Sequence, residues 1–253
     1  MTNKYNKSKI YYYYNKAIDT LNAKKPVNFQ FLHIPKTGGT YIRSRLSWKY
    51  IQPHEHTVNV LTSKKIYFSF YTTIRNPFEY YNSTFNELFV QREENLPSER
   101  FEYLNEIISQ SKNRSIDSLI NASLNLNENL INSKVWLLGR SSRFPIFKYL
   151  KEFDIGLYSF FMLNQFSTLK IEDINHKSKI EYEFNKINDK ITTIKLENID
   201  QELKKLAKEN NLYLKNLFLD KNENVHKMNI DLSQNSLLIH KERYAFKLYN
   251  LAI

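Results

Sequence analysis

Two short apolar runs, each ending in a polar turn that at once starts a helix, constrain this chain more than any other feature. Val27 to Ile34 is rich in β-forming residues and lies between Pro26 and Pro35. Proline is excluded from central strand positions, so the run reads as a short buried strand with fixed ends. The turn Pro35-Lys36-Thr37-Gly38-Gly39 follows, and Thr40 can cap a helix reaching to about Tyr50. Ile66 to Ile74 reads as a second buried strand, ending at Arg75-Asn76-Pro77. Proline suits the first turn of a helix and cannot prolong a strand, so a helix from about Pro77 to Gln91 is expected.

The rest of the chain continues the alternation. A helix from Lys9 to Ala23 precedes the first strand, and Pro97 to Leu138 is mostly helical in pattern. Asp154 to Leu157 reads as a third short strand with a helix after it, and Ile191 to Leu196 as another strand. Gln201 to Phe218 and Lys241 to Leu251 are amphipathic at helical spacing. Strands alternating with helices predict an α/β fold with a central, mainly parallel sheet flanked by helices. Such sheets bind ligands at the carboxyl ends of their strands, where the two unusual turns fall. Residues 1–26 read as an N-terminal lead-in, and 27–253 as a single domain.

Composition narrows the partners. The formal net charge is +11, which favours anionic ligands, although the lysines are scattered and form no basic arm. The 253 residues contain no cysteine, which excludes disulfides and thiolate metal sites. The start of the chain lacks the apolar core of a signal peptide, and no run of about twenty apolar residues could span a bilayer. A cytoplasmic location is the resulting expectation.

The first turn has the chemistry of a phosphate cradle. Gly38 and Gly39 let the backbone bend tightly and bring N–H groups close to an anion, Lys36 adds a movable charge, and Thr37 and Thr40 offer hydroxyls. It is not a Walker A loop, in which the lysine follows the glycines; here Lys36 precedes them, which argues against an ATPase or GTPase. In the second turn Arg75 ends the strand, and Ser83 stands on the second turn of the helix. A guanidinium fork and a hydroxyl suit a second phosphate.

Pro35-Lys36-Thr37-Gly38-Gly39-Thr40 together with Arg75-Asn76-Pro77 and Ser83 resembles the donor-binding signature of sulfotransferases that use 3′-phosphoadenosine-5′-phosphosulfate (PAPS). The likeness is to the carbohydrate type, including the glycosaminoglycan uronyl 2-O-sulfotransferases. Asp154-Ile155-Gly156-Leu157, Lys195-Leu196-Glu197-Asn198 and Lys247-Leu248-Tyr249 extend it, in order, over roughly residues 27–253. The resemblance implies a P-loop-like three-layer fold, a first loop that grips the 5′-phosphosulfate, and a second element that grips the 3′-phosphate. It implies PAPS as donor with PAP as product, no metal, and a carbohydrate hydroxyl as acceptor, with no nucleic-acid partner. Residues 92–138 would then form the helical region that sets acceptor choice. One departure is plain: the family usually carries an arginine where this chain has Tyr80, which puts the packing of the second helix in question.

Sulfuryl transfer needs a base near the acceptor hydroxyl and positive charge where the leaving phosphate develops negative charge. Lys36 suits the leaving side. Histidine suits the base, and residues two apart share a face of an extended segment, as His54 and His56 do in His54-Glu55-His56. The resemblance assigns the base to His56, with His54 as a supporting contact to the acceptor; Glu55 stays open as an alternative base. The resemblance places the late segment His226-Lys227-Met228-Asn229 over the 3′-phosphate, where Lys227 would contribute. His33 reads as structural, packing or hydrogen-bonding the turn, and His176 and His240 read as solvated. Arg43, Arg45, Arg140 and Arg143 could meet an acidic acceptor, and Tyr41 reads as a core residue of the first helix. A protein tyrosine or a lipid as acceptor, or a nucleotide- or nucleic-acid-binding protein without transfer activity, are the competing readings.

Overall fold

A computed structural model describes residues 2–26, 28–34, 37–46, 50, 69–89, 115–125, 135–136, 143–144, 146–215 and 230–253. Three strands form a parallel sheet in the order β1-β2-β5: β1 Phe29–Leu32, β2 Ser69–Ile74 and β5 Ile191–Lys195. The central strand β2 pairs Phe29↔Ser69 through Leu32↔Thr72 on one side, and Phe70↔Ile191 through Ile74↔Lys195 on the other. Because every pairing is parallel, the turns after β1 and β2 and the segment after β5 all open at one end of the sheet.

Among the described residues the helices are α1 Thr2–Ala23, α2 Gly39–Arg45, α3 Pro77–Phe89, α4 Ile116–Leu124, α5 Ile146–Phe153, α6 Leu157–Phe166, α7 Lys177–Lys190, α8 Ile199–Glu209, α9 Ser236–Lys241 and α10 Arg243–Leu251. Both sheet faces are covered, as period-two burial of parallel strands requires. Phe29 and Phe31 of β1 and Ile194 of β5 pack with Ile42 of α2, Leu46 just after it, and Leu203 and Leu206 of α8. Leu32, Ile74 and Ile191 instead join a larger cluster with Tyr80, Tyr81 and Phe85 of α3, most of α6, Phe184 and Ile187 of α7, and Leu248 of α10. The expected α/β architecture is therefore observed, as a small parallel sheet flanked by helices.

Helix α1 is tied to the rest of the fold at its C-terminal end. Asn22 is fully buried; its amide donates to the Tyr213 carbonyl at 2.8 Å and its side-chain oxygen accepts from the Tyr213 N–H at 3.1 Å. The Tyr50 hydroxyl donates to the Asn22 carbonyl at 2.8 Å, Lys25 lies over the Tyr213 ring, and Asp19 pairs with Lys215 at 2.7 Å. Residues 19–25 are thus tied to the α8 side of the sheet through Tyr213 and Lys215.

Three expectations are corrected. Asp154 to Leu157 is not a strand but the turn between α5 and α6: Asp154 is left-handed with φ 54°, and the Gly156 N–H donates to the Lys241 carbonyl rather than to a sheet. The helix expected to reach Phe218 stops at Glu209, because Asn211 takes a left-handed φ of 53° that a continuing helix cannot contain. Val135–Trp136, expected within a helical stretch, pairs antiparallel with Arg143–Phe144 as β3 and β4.

Candidate functional site

The two polar turns leave neighbouring strands, and threonines of β2 fasten them together. Thr72 donates its hydroxyl to the Leu32 carbonyl at 2.8 Å. Thr73 donates to the Thr37 carbonyl at 2.5 Å, with the Thr37 hydroxyl 3.3 Å away. A β-branched residue with a hydroxyl serves here both as a strand former and as a clamp on the adjacent loop. Thr37 is itself fully buried, and its hydroxyl donates to the Ile34 carbonyl at 2.8 Å. It shapes the turn from within; its hydroxyl is committed to the loop, not offered to a ligand.

Both glycines of the first turn are required by their surroundings. Gly38 precedes α2 with φ 89°, a left-handed conformation that costs other residues energy. A Cβ there would stand 2.4 Å from Leu196 Cδ1, and one on Gly39 would stand 2.0 Å from the ring of the buried His33. His33 thus fills the space beneath the turn, the structural role expected of it, and its carbonyl accepts from the Gln165 side chain at 3.0 Å. Leu196 belongs to the short 3-10 turn Leu196–Asn198 directly after β5, so the third strand end also abuts the loop.

Arg75 follows the last residue of β2. Its backbone N–H donates to the Tyr158 hydroxyl at 2.8 Å, and its guanidinium lies 3.3 Å from Glu79, with 17% of the side chain exposed. Asn76 starts α3: its side-chain oxygen accepts from the Phe78 N–H at 3.0 Å and its carbonyl from the Tyr80 N–H at 2.8 Å. Ser83 is half-buried one turn beyond Glu79, so it shares the helix face over which Arg75 leans. The second turn therefore places an arginine and, by helical spacing, a serine along one side of α3. Beside them, a cleft of about 310 Å³ lies between the start of α3 and residues 230–233, lined by Asn76, Glu79, Asn82, Asp231 and Ser233 among others.

Tyr80, the departure from the expected arginine, is fully buried and stacks on Tyr158 at 3.9 Å with rings 6° from parallel. An aromatic pair thus fills the position and settles the packing of α3. Tyr158 was not legible as a site residue, since it stands in the apolar run of α6 with no signal of its own. Burial raises its phenol pKa, so the hydroxyl stays protonated.

Beyond the strand ends, Tyr249 donates to Glu197 at 2.6 Å, and burial together with that carboxylate pushes its phenol up to about 12. Tyr41 donates to Asp200 at 2.7 Å, and packs against the cluster of Phe29, Phe31 and Ile42 as expected. Arg45 donates to the Lys215 carbonyl at 2.5 Å and lies 3.4 Å from Asp200, so its role here is to join α2 to α8 and its flank. His176 is exposed, as expected. His240 is not simply solvated: it sits 2.8 Å from Asp154, next to Lys241 on the same carboxylate at 2.6 Å.

Pro35, Lys36, His54, Glu55, His56, Arg140, His226 and Lys227 lie outside the described residues, as do the side chains of Thr40 and Arg143. Among the described residues no cluster of three or more metal-ligating side chains occurs, and no helix is long and apolar enough to cross a membrane. Comparison with protein-family models, curated proteins and solved structures gives no match.

Proposed function

We propose that this chain is a PAPS-dependent sulfotransferase with a P-loop-like three-layer fold, acting on a hydroxyl of a carbohydrate acceptor. The observation that carries the reading is the juxtaposition of the two polar turns. They close adjacent parallel strands at one end of the sheet and are joined there by the Thr73–Thr37 hydrogen bond. A donor bearing a 5′-phosphosulfate and a 3′-phosphate needs two anion grips a short distance apart, and these turns supply them.

The residues fit such a donor. Gly38 and Gly39 remove side chains from the loop surface, while His33 and Leu196 press the turn into shape from below and from the side. In this reading Pro35, Lys36, Thr37, Gly38, Gly39 and Thr40 hold the 5′ end, Thr37 through its backbone, and Arg75 and Ser83 hold the 3′-phosphate with Lys227. Glu79 keeps the Arg75 guanidinium extended along α3 through an i,i+4 pair, which a doubly charged phosphate would outcompete. PAPS supplies the sulfuryl group: the acceptor oxygen bonds to sulfur as the bond to the bridging phosphate oxygen breaks, and PAP leaves. Lys36 stabilises the charge that grows on that phosphate, and His56, supported by His54, takes the acceptor proton. No metal is needed for these roles.

Titration calorimetry with PAP, beside ATP with magnesium, tests the donor. The expected result is PAP binding that weakens about 10- to 100-fold in Lys36→Ala and Arg75→Ala, the worth of one charge-assisted contact, with little binding of ATP. Binding of ATP but not PAP would overturn the reading in favour of a kinase or nucleotide sensor. With the donor fixed, transfer from radiolabelled PAPS to a panel of glycans should fall about 10²- to 10⁴-fold in His56→Ala. PAP binding that survives with no transfer to any hydroxyl acceptor would leave a nucleotide-binding protein.

A further inference from the structure

We infer that Tyr158 is a positioning residue for Arg75, acting on its backbone rather than on its guanidinium. Arg75 lies one residue beyond the last pair of the β2–β5 ladder, Ile74↔Lys195, where the sheet stops dictating the direction of the chain. The Tyr158 hydroxyl takes over at that point by accepting the Arg75 N–H at 2.8 Å. On the other side, Asn76 accepts from Phe78 and Tyr80 and starts α3. The Arg75 N–H is thereby fixed by Tyr158 and the next residue by the start of α3, so the direction of the Arg75 Cα–Cβ bond is set before any ligand arrives.

Tyr158 can do this because it is immobilised three times over. Its ring is fully buried and stacked on Tyr80 at 3.9 Å. Its own N–H donates to Glu242 Oε1 at 3.0 Å. Glu242 is itself fully buried and accepts in addition from the Tyr81 hydroxyl at 2.7 Å and from the Ser159 N–H and hydroxyl at 2.8 and 2.7 Å. A carboxylate with four donors at the first turn of α6 fixes that helix end, and the phenol transmits the constraint across to β2. The chain of contacts runs from α10 through Glu242 and Tyr158 to Arg75, and it joins elements that are far apart in sequence.

Tyr158→Phe removes one oxygen, keeps the stacked ring, and leaves the half-buried Arg75 N–H without its acceptor. Amide hydrogen exchange measured by NMR should show the Arg75 N–H exchanging about tenfold faster or more relative to its neighbours in β2, the effect of one lost buried hydrogen bond. The nucleotide arm rests on the sulfotransferase reading: affinity for PAP should fall about tenfold, while affinity for adenosine 5′-monophosphate, which lacks the 3′-phosphate, should not change. Tyr50→Phe is the matched control. It deletes an equally buried phenol oxygen in the other core and should lower stability without moving either readout. Unchanged Arg75 exchange in Tyr158→Phe, or an equal change in Tyr50→Phe, overturns the inference. A wild-type protein that ignores PAP overturns the functional reading instead, and the exchange measurement still decides the role of Tyr158.

Discussion

Gly39 lies against the His33 ring so closely that the missing side chain is itself a structural part. A methyl group there would stand 2.0–2.4 Å from three ring atoms, and the buried imidazole has little room to retreat. Gly39→Ala should therefore destabilise the protein by about 1–3 kcal/mol through overpacking. Without His33 the same change should be neutral or stabilising, because alanine is favoured over glycine in a helix by about 1 kcal/mol. Urea denaturation of Gly39→Ala, His33→Ala and the double variant checks this, and the reversal of sign is the decisive outcome. The glycines were legible in the sequence, since a turn between strand and helix demands them; the reason for Gly39 was not. Its partner His33 announces nothing but burial, and Leu196, the partner of Gly38, comes from a strand end over 150 residues away. Thr37 shows the converse. Its hydroxyl looks like a ligand donor in the motif, yet the Ile34 carbonyl three residues back takes it first.

At the scale of elements, local pattern misled where a distant charge cluster decides the backbone. Ile155 and Leu157 alternate as strand residues do, but Asp154 caps the end of α5 in a left-handed turn fastened from α9. Lys241 and His240 reach its carboxylate, and Arg243 donates to its carbonyl at 2.7 Å. Burial alone would raise the Asp154 pKa, but the hydrogen bonds and charges of Lys241 and His240 outweigh it and hold the group at about 2. A carboxyl depressed in the folded state stabilises the protein above its ordinary pKa, and that contribution is lost as pH falls from about 4 toward 2. Discounted for partial exposure, the contribution is about 1–2 kcal/mol. Asp154→Asn keeps a side chain that tolerates the left-handed turn and removes the charge. It should lower the urea midpoint at pH 6, and the gap to the wild type should shrink to about a third by pH 2.5. A gap that does not narrow over that range would assign the stabilisation to hydrogen bonding alone. The strands β1, β2 and β5 were legible because each is a short β-forming run bounded by prolines or polar turns. The end of α8 was not, because Asn210-Asn211 interrupts an amphipathic pattern that resumes beyond it.

At the scale of the whole molecule, the sheet order brings together the ends of β1, β2 and β5, and the periodic pattern predicted a parallel sheet without predicting which strand would be central. That follows from contacts between segments far apart in sequence, as does the placement of α1. The tyrosine-rich start reads as a lead-in, and Tyr12 and Tyr13 are exposed, but the helix is anchored at its other end by Asn22. Asn22 matches the Tyr213 peptide group with both a donor and an acceptor, acting as one more strand-like partner for a chain segment that leaves α8. Its replacement by alanine leaves the Tyr213 carbonyl and N–H without these partners, at a cost of about 2 kcal/mol. For a domain of this size that corresponds to a fall of about 4–8 °C in Tm. If α1 belongs to the cooperative unit, calorimetry of Asn22→Ala should show a single transition displaced as a whole. A separate low-temperature transition with the main one unmoved would mean that α1 folds onto a domain already complete without it, and that the boundary at residue 27 is physical.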